Sequence, residues 1–225
     1  MVKMTRNRES SYVWVTWLPP LMAGSKVCQW GSWFKTHYQD YTKAPSDFQM
    51  ANYLMQHTQL LNQLIKIRTD KGDKIKRENQ NYFNVKRSSG LTIGGKPDLV
   101  AMNSSGIFTV YDAKTGQPND AHVIQVMLYM MFLPYAQAEY KKKEINGSLV
   151  YSDLQESLIP ASAIDADFQK HVTYFLDILS DSKAPQKCPS FNECKFCDIA
   201  KIECPERIEY NTPTTIEGNE PEIPF

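Results

Sequence analysis

The sequence carries no charge bias: 25 basic and 25 acidic residues leave its 225 residues at zero formal net charge. A protein that coats nucleic acid through charge alone is usually clearly basic. Any grip on a polyanion must therefore come from local patches around a site. No run of apolar residues is long enough to cross a bilayer, which leaves no membrane among the expected partners. No stretch repeats itself. The first ten residues are basic and lead into VWVTWLPPLM, but that run is short, interrupted by polar residues and broken at Pro19-Pro20. It reads as mature protein and not as a secretion signal. Cysteine is scarce and odd in number, five in all. Thiols without a secretion signal belong to a reducing compartment, where they serve metals more often than disulfides. The chain is accordingly expected to be intracellular, in the cytoplasm. Core material is not lacking: 42% hydrophobic against 22% charged residues is ordinary globular usage and excludes general disorder.

Residues 1–45 form an N-terminal segment whose stretch 11–41 is rich in tryptophan and tyrosine and holds the isolated Cys28. A helix is expected from Ser46, as its cap, to Ile67, with Phe48, Ala51, Leu54, Met55, Thr58, Leu61 and Ile65 near helical spacing. The charged segment 68–79 reads as a solvated connection. Strands are predicted at Tyr82–Arg87, Leu91–Met102 and Ile107–Lys114, separated by the turn sequences 88–90 and 103–106. A helix over Asp120–Leu133, a strand over Gly147–Ser152 and an amphipathic helix over Asp165–Leu179 follow. This order describes an α/β (α+β) fold, a mixed central sheet flanked by helices, with its core over 46–187. A cysteine lobe (188–208) and a loose acidic tail (209–225) complete the chain.

Chemistry concentrates at Gly95-Lys96-Pro97-Asp98 and Tyr111-Asp112-Ala113-Lys114. Alternate side chains on a strand share a face, so Asp112 and Lys114 point together. The 103–106 turn brings Asp98 opposite them. Burying three charges is costly unless something pairs with them. A divalent cation held by both carboxylates and the Ala113 carbonyl removes much of that cost. A hard cation also acidifies its water and polarises a phosphate, as phosphodiester hydrolysis requires. Lys114 then orients or deprotonates that water, or stabilises developing charge. The same residues also fit a blander description, in which Asp98 caps a turn and Asp112–Lys114 is an exposed pair.

The helix after the third strand has an apolar stripe, Val123, Val126, Met127, Met130 and Met131, and presents His122, Gln125, Tyr129 and Phe132 on another face. It can turn Gln125 and Tyr129 toward the catalytic face. In the earlier helix, His57 becomes a candidate third metal ligand because a carboxylate pair lies downstream. Taken together, His57, the PD of 97–98, the DAK of 112–114 and the QxxxY of 125–129 resemble the RecB-like branch of the PD-(D/E)XK nucleases. The resemblance implies a restriction-endonuclease-like fold and Mg²⁺ or Mn²⁺ as cofactor. It also implies that His57, Asp98 and Asp112 bind metal, that Lys114 is catalytic, and that Gln125 and Tyr129 lie near substrate. The family often has a glycine four residues before the histidine and an acid four after; here Tyr53 and Leu61 stand there.

Cys194, Cys197 and Cys204 form C-x2-C-x6-C, with Cys188 upstream and Cys28 far away. Thiolates at such spacing select soft metals, zinc or iron–sulfur. Cys188, Cys194, Cys197 and Cys204 would make a local zinc knot. With Cys28 in place of Cys188, the set clamps the two ends of the chain together. The second layout is similar to the CRISPR-associated and AddB-type iron–sulfur exonucleases, which implies a structural 4Fe–4S cluster. Where their first cysteine is commonly followed by proline, Gln29 stands here.

The expectation is a DNA nuclease, an exonuclease on single strands or ends, in a DNA-processing complex with protein partners. A second reading is an inactive zinc- or cluster-stabilised nucleic-acid-binding subunit. Trp30, Trp33, Tyr38 and Tyr41 either stack on unpaired bases or pack on the core around the cluster.

Overall fold

The computed structural model describes residues 4–46 and 49–209. Expectations for Phe48 and for the tail beyond Glu209 lie outside the described residues. The chain opens with short elements: β1 (Arg6–Asn7), β2 (Tyr12–Trp14), α1 (Pro19–Met22), α2 (Trp30–His37) and β3 (Tyr38–Gln39). Pro19 and Pro20 start α1, where a missing N–H costs nothing. There follow α3 (Met50–Asp70), β4 (Lys74–Arg77), β5 (Phe83–Lys86), β6 (Thr92–Gly95), β7 (Leu99–Met102) and β8 (Phe108–Lys114). The remainder is α4 (Asp120–Ala136), β9 (Ile145–Tyr151), β10 (Glu156–Ile159), α5 (Ala166–Ser180) and α6 (Phe191–Lys195).

The central sheet has five strands in the order β10-β9-β8-β7-β4. Its β8–β9 pair is parallel and its other pairs are antiparallel, so the sheet is mixed, as expected. A parallel pair needs a crossover, and α4 supplies it. Alternation along the strands then separates two cores. Leu99, Ala101, Tyr111, Ala113 and Val150 pack with Leu60, Leu61, Leu64 and Ile65 of α3. Val100, Val110 and Leu149 join Val126 and Met130 of α4 in the larger core. Gly147 lets α4 approach β9: a Cβ there would stand 2.4 Å from Val126 Cγ1 and 2.6 Å from Met130 Sδ. A second sheet, β2-β6-β5, joins the N-terminal segment to the middle of the chain through the parallel β2–β6 pair.

Four expectations need correction. Leu91–Met102 is not one strand but two, β6 and β7, in different sheets. Pro97 cannot donate to a ladder, so the backbone breaks at 96–98. Buried Asn81 holds the break, its Nδ2 donating to the carbonyls of Lys76 and Pro97 at 2.9 and 3.4 Å. The charged 68–79 segment contains β4, an edge strand; Ile75 packs inward and its basic neighbours guard the edge. The long helix has Gln49 and not Ser46 at its N-cap position, with no side-chain cap hydrogen bond there. Its first half does not bury the expected stripe: Leu54 and Met55 are 52% and 55% exposed. Of the two readings left open for Trp30 and Trp33, packing in the core is the one observed, each being 8% exposed. Trp33 Nε1 donates to the Asp181 carbonyl at 2.7 Å, so neither ring is free for a base.

Candidate active site

The break after β6 swings Asp98 beside the end of β8. Its Oδ2 accepts the Ala113 N–H at 2.8 Å and lies 3.2 Å from His57 Nε2 on α3. Asp112 and Lys114 lie on the α4 side of β8, two strand positions apart. Lys114 Nζ is 2.6 Å from Asp112 Oδ2. Gln125, one turn into α4, locks this pair. Its Oε1 accepts from Lys114 Nζ at 3.1 Å, while its Nε2 is 3.1 Å from Asp112 Oδ1 and 3.2 Å from the Tyr129 hydroxyl. Helix α4 is aimed by Asn119, whose Oδ1 accepts the His122 N–H at 3.2 Å as an N-cap.

Asp112 is 2% exposed, and beyond the Lys114 ion pair its Oδ2 finds no hydrogen-bond partner among the described residues. Burial pushes its carboxyl up to about 6; Lys114 pulls against that rise and Asp98 adds to it. For Lys114 burial works against the ammonium, yet the neighbouring Asp112 more than offsets this and the net shift is upward. The hydrogen bond to Asp98 raises His57, with burial opposing. Burial, followed by the charges of Asp112 and Asp98, holds the Tyr129 phenol well above its ordinary range.

Three participants in this neighbourhood carried no assigned role in the sequence. Tyr53 stacks on His57, ring centroids 5.8 Å apart, and sits in the field of Lys114 and both carboxylates. His122 and Lys114 line an open cleft whose far wall is Thr16, Pro19, Pro20, Ala23 and Ser25. Tyr151, at the end of β9, places its hydroxyl 3.1 Å from His122 Nδ1. Burial and then the Lys114 charge lower His122 to about 4, so it is neutral at pH 7. Only the parallel register, which sets Lys114 opposite Tyr151, brings that tyrosine here.

Just before α2, Cys28 lines one cavity with Cys194, Cys197 and Cys204, together with Lys26, Lys187 and Arg207. Cys188 lies outside that lining, its Sγ 3.8 Å from the Gln186 carbonyl. Glu193 ties the two chain ends: its carboxylate accepts the Val27 and Cys28 N–H groups at 2.7 and 3.1 Å. Arg207 donates to the Cys197 and Ile199 carbonyls at 2.7 and 2.9 Å. The Ile208 N–H points at Cys194 Sγ, 3.4 Å away. Burial raises the Cys204 thiol, Lys187 opposes, and the other three thiols add to the rise.

The family model described as the PD-(D/E)XK nuclease superfamily matches residues 32–205. The chain belongs to the PD-(D/E)XK nuclease superfamily. No curated protein matches it. Among solved structures it is similar to the crystal structure of SSO0001, at 16% identity, a TM-score of 0.49, and coverage of 91% of this chain and 90% of that one.

Membership in the PD-(D/E)XK superfamily implies a metal-dependent nuclease, a hydrolase acting on nucleic acid, and typically Mg²⁺ or Mn²⁺. The mixed sheet flanked by helices is its restriction-endonuclease-like fold. Among the described residues no helix is long and apolar enough to cross a membrane. Nor is any group of three or more His, Cys, Asp or Glu side chains there arranged to hold a metal ion as it stands. At the acidic site the reason is visible: Lys114 faces Asp112, while His57 and the Ala113 N–H take Asp98 Oδ2. The donor chemistry nonetheless fits a hard cation, because a buried carboxylate with a raised pKa lacks a full set of partners. At the thiol cavity, four sulfurs share a wall with three cationic side chains and with Glu193, and Gly31 lines it too. A Cβ on Gly31 would stand 3.6 Å from Cys197 Sγ. That surrounding fits an anionic thiolate-bound group.

Proposed function

We propose that this nuclease hydrolyses DNA phosphodiester bonds at Asp98, Asp112 and Lys114, acting as an exonuclease on single strands or ends. The observation that supports it is the cluster in which Gln125 is hydrogen-bonded to both Asp112 and Lys114, two strand positions apart on β8. A strictly structural ion pair has no need of so buried a carboxylate or of a cleft opening onto its lysine. Asp98 and Asp112, with His57 and the Ala113 carbonyl, would hold Mg²⁺ or Mn²⁺, which polarises the phosphate and acidifies a water. Lys114 holds a positive charge where the phosphate enters. Gln125 fixes the ammonium, and Tyr129 fixes Gln125. His122, neutral at pH 7, adds no second positive charge to the cleft that Lys114 lines.

Cys28, Cys194, Cys197 and Cys204 are the proposed ligands of a structural 4Fe–4S cluster. The reading is supported by Cys28, not Cys188, lining the cavity. With the QxxxY placement of Gln125 and Tyr129, it agrees with the RecB-like branch and its CRISPR-associated and AddB-type exonucleases.

The test is anaerobic purification followed by incubation of wild type and Lys114→Ala with end-labelled single- and double-stranded DNA, in Mg²⁺, Mn²⁺ or EDTA. Metal-dependent shortening from the ends is expected, reduced by a factor of about 100 or more in Lys114→Ala. A folded, metal-replete wild type that leaves both DNAs intact, or a variant that cuts as fast, overturns the reading.

A further inference from the structure

Outside the active site, the outer face of β2-β6-β5 carries aromatic rings that belong to no core. Cross-strand register sets Tyr12 opposite Thr92 and Thr92 opposite Lys86; on the next rung Trp14 faces Gly94, and Gly94 faces Asn84. Alternation turns Val13, Ile93 and Phe83 inward, where they are at most 2% exposed. Tyr12 and Trp14 are left on the other side, half-buried. Tyr82, 44% exposed, extends the row. Ring centroids are 5.5 Å apart for Tyr12–Trp14 and 6.1 Å for Trp14–Tyr82.

These rings are held in place. The Tyr12 hydroxyl donates to Asn84 Oδ1 at 3.1 Å, and Asn84 Nδ2 donates to the Tyr82 hydroxyl at 2.8 Å. Tyr12 reaches Asn84 by crossing Gly94, where any Cβ would collide with it. Glycine there lets the Tyr12 ring lie across β6, with Tyr12 and Trp14 meeting edge-on at 68° and Trp14 and Tyr82 tilted by 56°. Positive charge accompanies it: Arg8 lies 5.8 Å from the Tyr12 ring centroid, and exposed Lys86 shares the Tyr12 rung.

The face also leads somewhere. The parallel strands β2 and β6 end together. Two residues beyond Trp14, Thr16 lines the cleft opposite Lys114. Three residues beyond Gly95, Asp98 sits against Ala113. Aromatic surface, flanking cations and an exit into the cleft match what unpaired bases on a phosphate backbone require.

We infer that single-stranded DNA lies across this face, its bases on Tyr12, Trp14 and Tyr82, and enters the cleft past Thr16 toward Lys114. The inference rests on the nuclease reading for the cleft's role, but binding to the face is separable from cleavage. The test is fluorescence anisotropy of a fluorescein-labelled oligothymidine with the intact chain, without added divalent metal. Trp14→Ala with Tyr82→Ala is expected to weaken binding about tenfold or more, whereas Trp14→Phe stays near wild type. Lys86→Glu, on an exposed side chain that cannot unfold the sheet, is expected to weaken binding and to flatten its salt dependence. Photocrosslinking of 5-iododeoxyuridine in the same strand is expected to map to residues 12–14 or 82. Unchanged affinity in the double variant or in Lys86→Glu, crosslinks confined elsewhere, or duplex competing as well as single strand would each overturn it. If Lys114→Ala is inactive while the double variant binds normally, the face fails and the nuclease stands. If Lys114→Ala still cuts while the double variant binds weakly, the nuclease assignment fails and the face stands.

Discussion

Replacing Asp112 by Asn should change stability in a way that depends on pH. In the folded, metal-free protein burial raises this carboxyl from its ordinary 3.8 to about 6. At about 1.4 kcal/mol per pH unit, the charged form costs the fold about 3 kcal/mol relative to an exposed aspartate. Because the folded pKa is above the unfolded one, the folded state binds the extra proton between the two values. Wild-type stability therefore gains from Asp112 as pH falls through 6, and the full cost is present at pH 8. About half of it, about 1.5 kcal/mol, is recovered by pH 5. Asparagine has no proton to bind, so the stability of Asp112→Asn relative to wild type should be greater at pH 8 than at pH 5 by about that amount. Lys114, left buried without its partner, changes the difference in the same direction, since its ammonium is then disfavoured most at low pH. His57, raised, and His122, lowered, titrate with opposite signs but are present in both proteins and largely cancel. The measurement is urea unfolding by tryptophan fluorescence at pH 5, 6.5 and 8 without divalent metal. A difference that is flat, or that shrinks as pH rises, refutes the assignment of that cost to Asp112. Added Mg²⁺ should stabilise wild type at pH 8 and leave the variant unmoved.

Two further predictions concern the thiols and the crossover. Cys28→Ser, purified without oxygen, should lose the iron and acid-labile sulfide of the wild type, while Cys188→Ser keeps them; elemental and sulfide analysis decides, and zinc in place of iron would refute the cluster. Gly147→Ala should lower the free energy of unfolding by about 1–3 kcal/mol, read from urea midpoints, because its methyl group meets Val126 and Met130 at sub-contact distance.

The Asp98, Asp112 and Lys114 constellation was legible because its residues are close in sequence and follow the period of a strand. The turn at 103–106 and the alternation of β8 required no knowledge of the rest of the chain. Gln125 was legible for a similar reason, as the helix after β8 has to cross back over the sheet. Non-local pairing defeated the reading elsewhere. Pro97 marks a break within Leu91–Met102, but which sheet each half joins depends on β2, which lies far upstream and takes β6 as partner. Strand β4 was hidden because an edge strand is selected to look charged. The exposed first half of α3 escaped because spacing alone does not reveal what the helix packs against. Likewise the aromatic character of the α2 tryptophans left base stacking and core packing equally open, because composition does not show which elements cover a ring.

The loop from Ala23 to Cys28 connects the two unusual features of the molecule. Ala23 and Ser25 line the cleft opposite Lys114, while Lys26 and Cys28 line the thiol cavity. Between them Gly24 adopts φ +69°, a left-handed turn that suits glycine, so the path is short and sharply bent. Ser25 Oγ donates to the Pro20 carbonyl at 3.2 Å, and the Lys26 N–H donates to the same oxygen at 2.9 Å, closing the bend. On the far side Glu193 holds the Val27 and Cys28 amides. A group bound across Cys28 and the C-terminal thiols would thus fix one wall of the cleft from behind, at a distance from the reacting phosphate. Loss of that group should loosen the wall before it disturbs Asp98, Asp112 or Lys114, which are anchored by β8, α3 and α4. On the proposed function, the cavity would act through substrate placement, and the acid–lysine cluster would carry the chemistry.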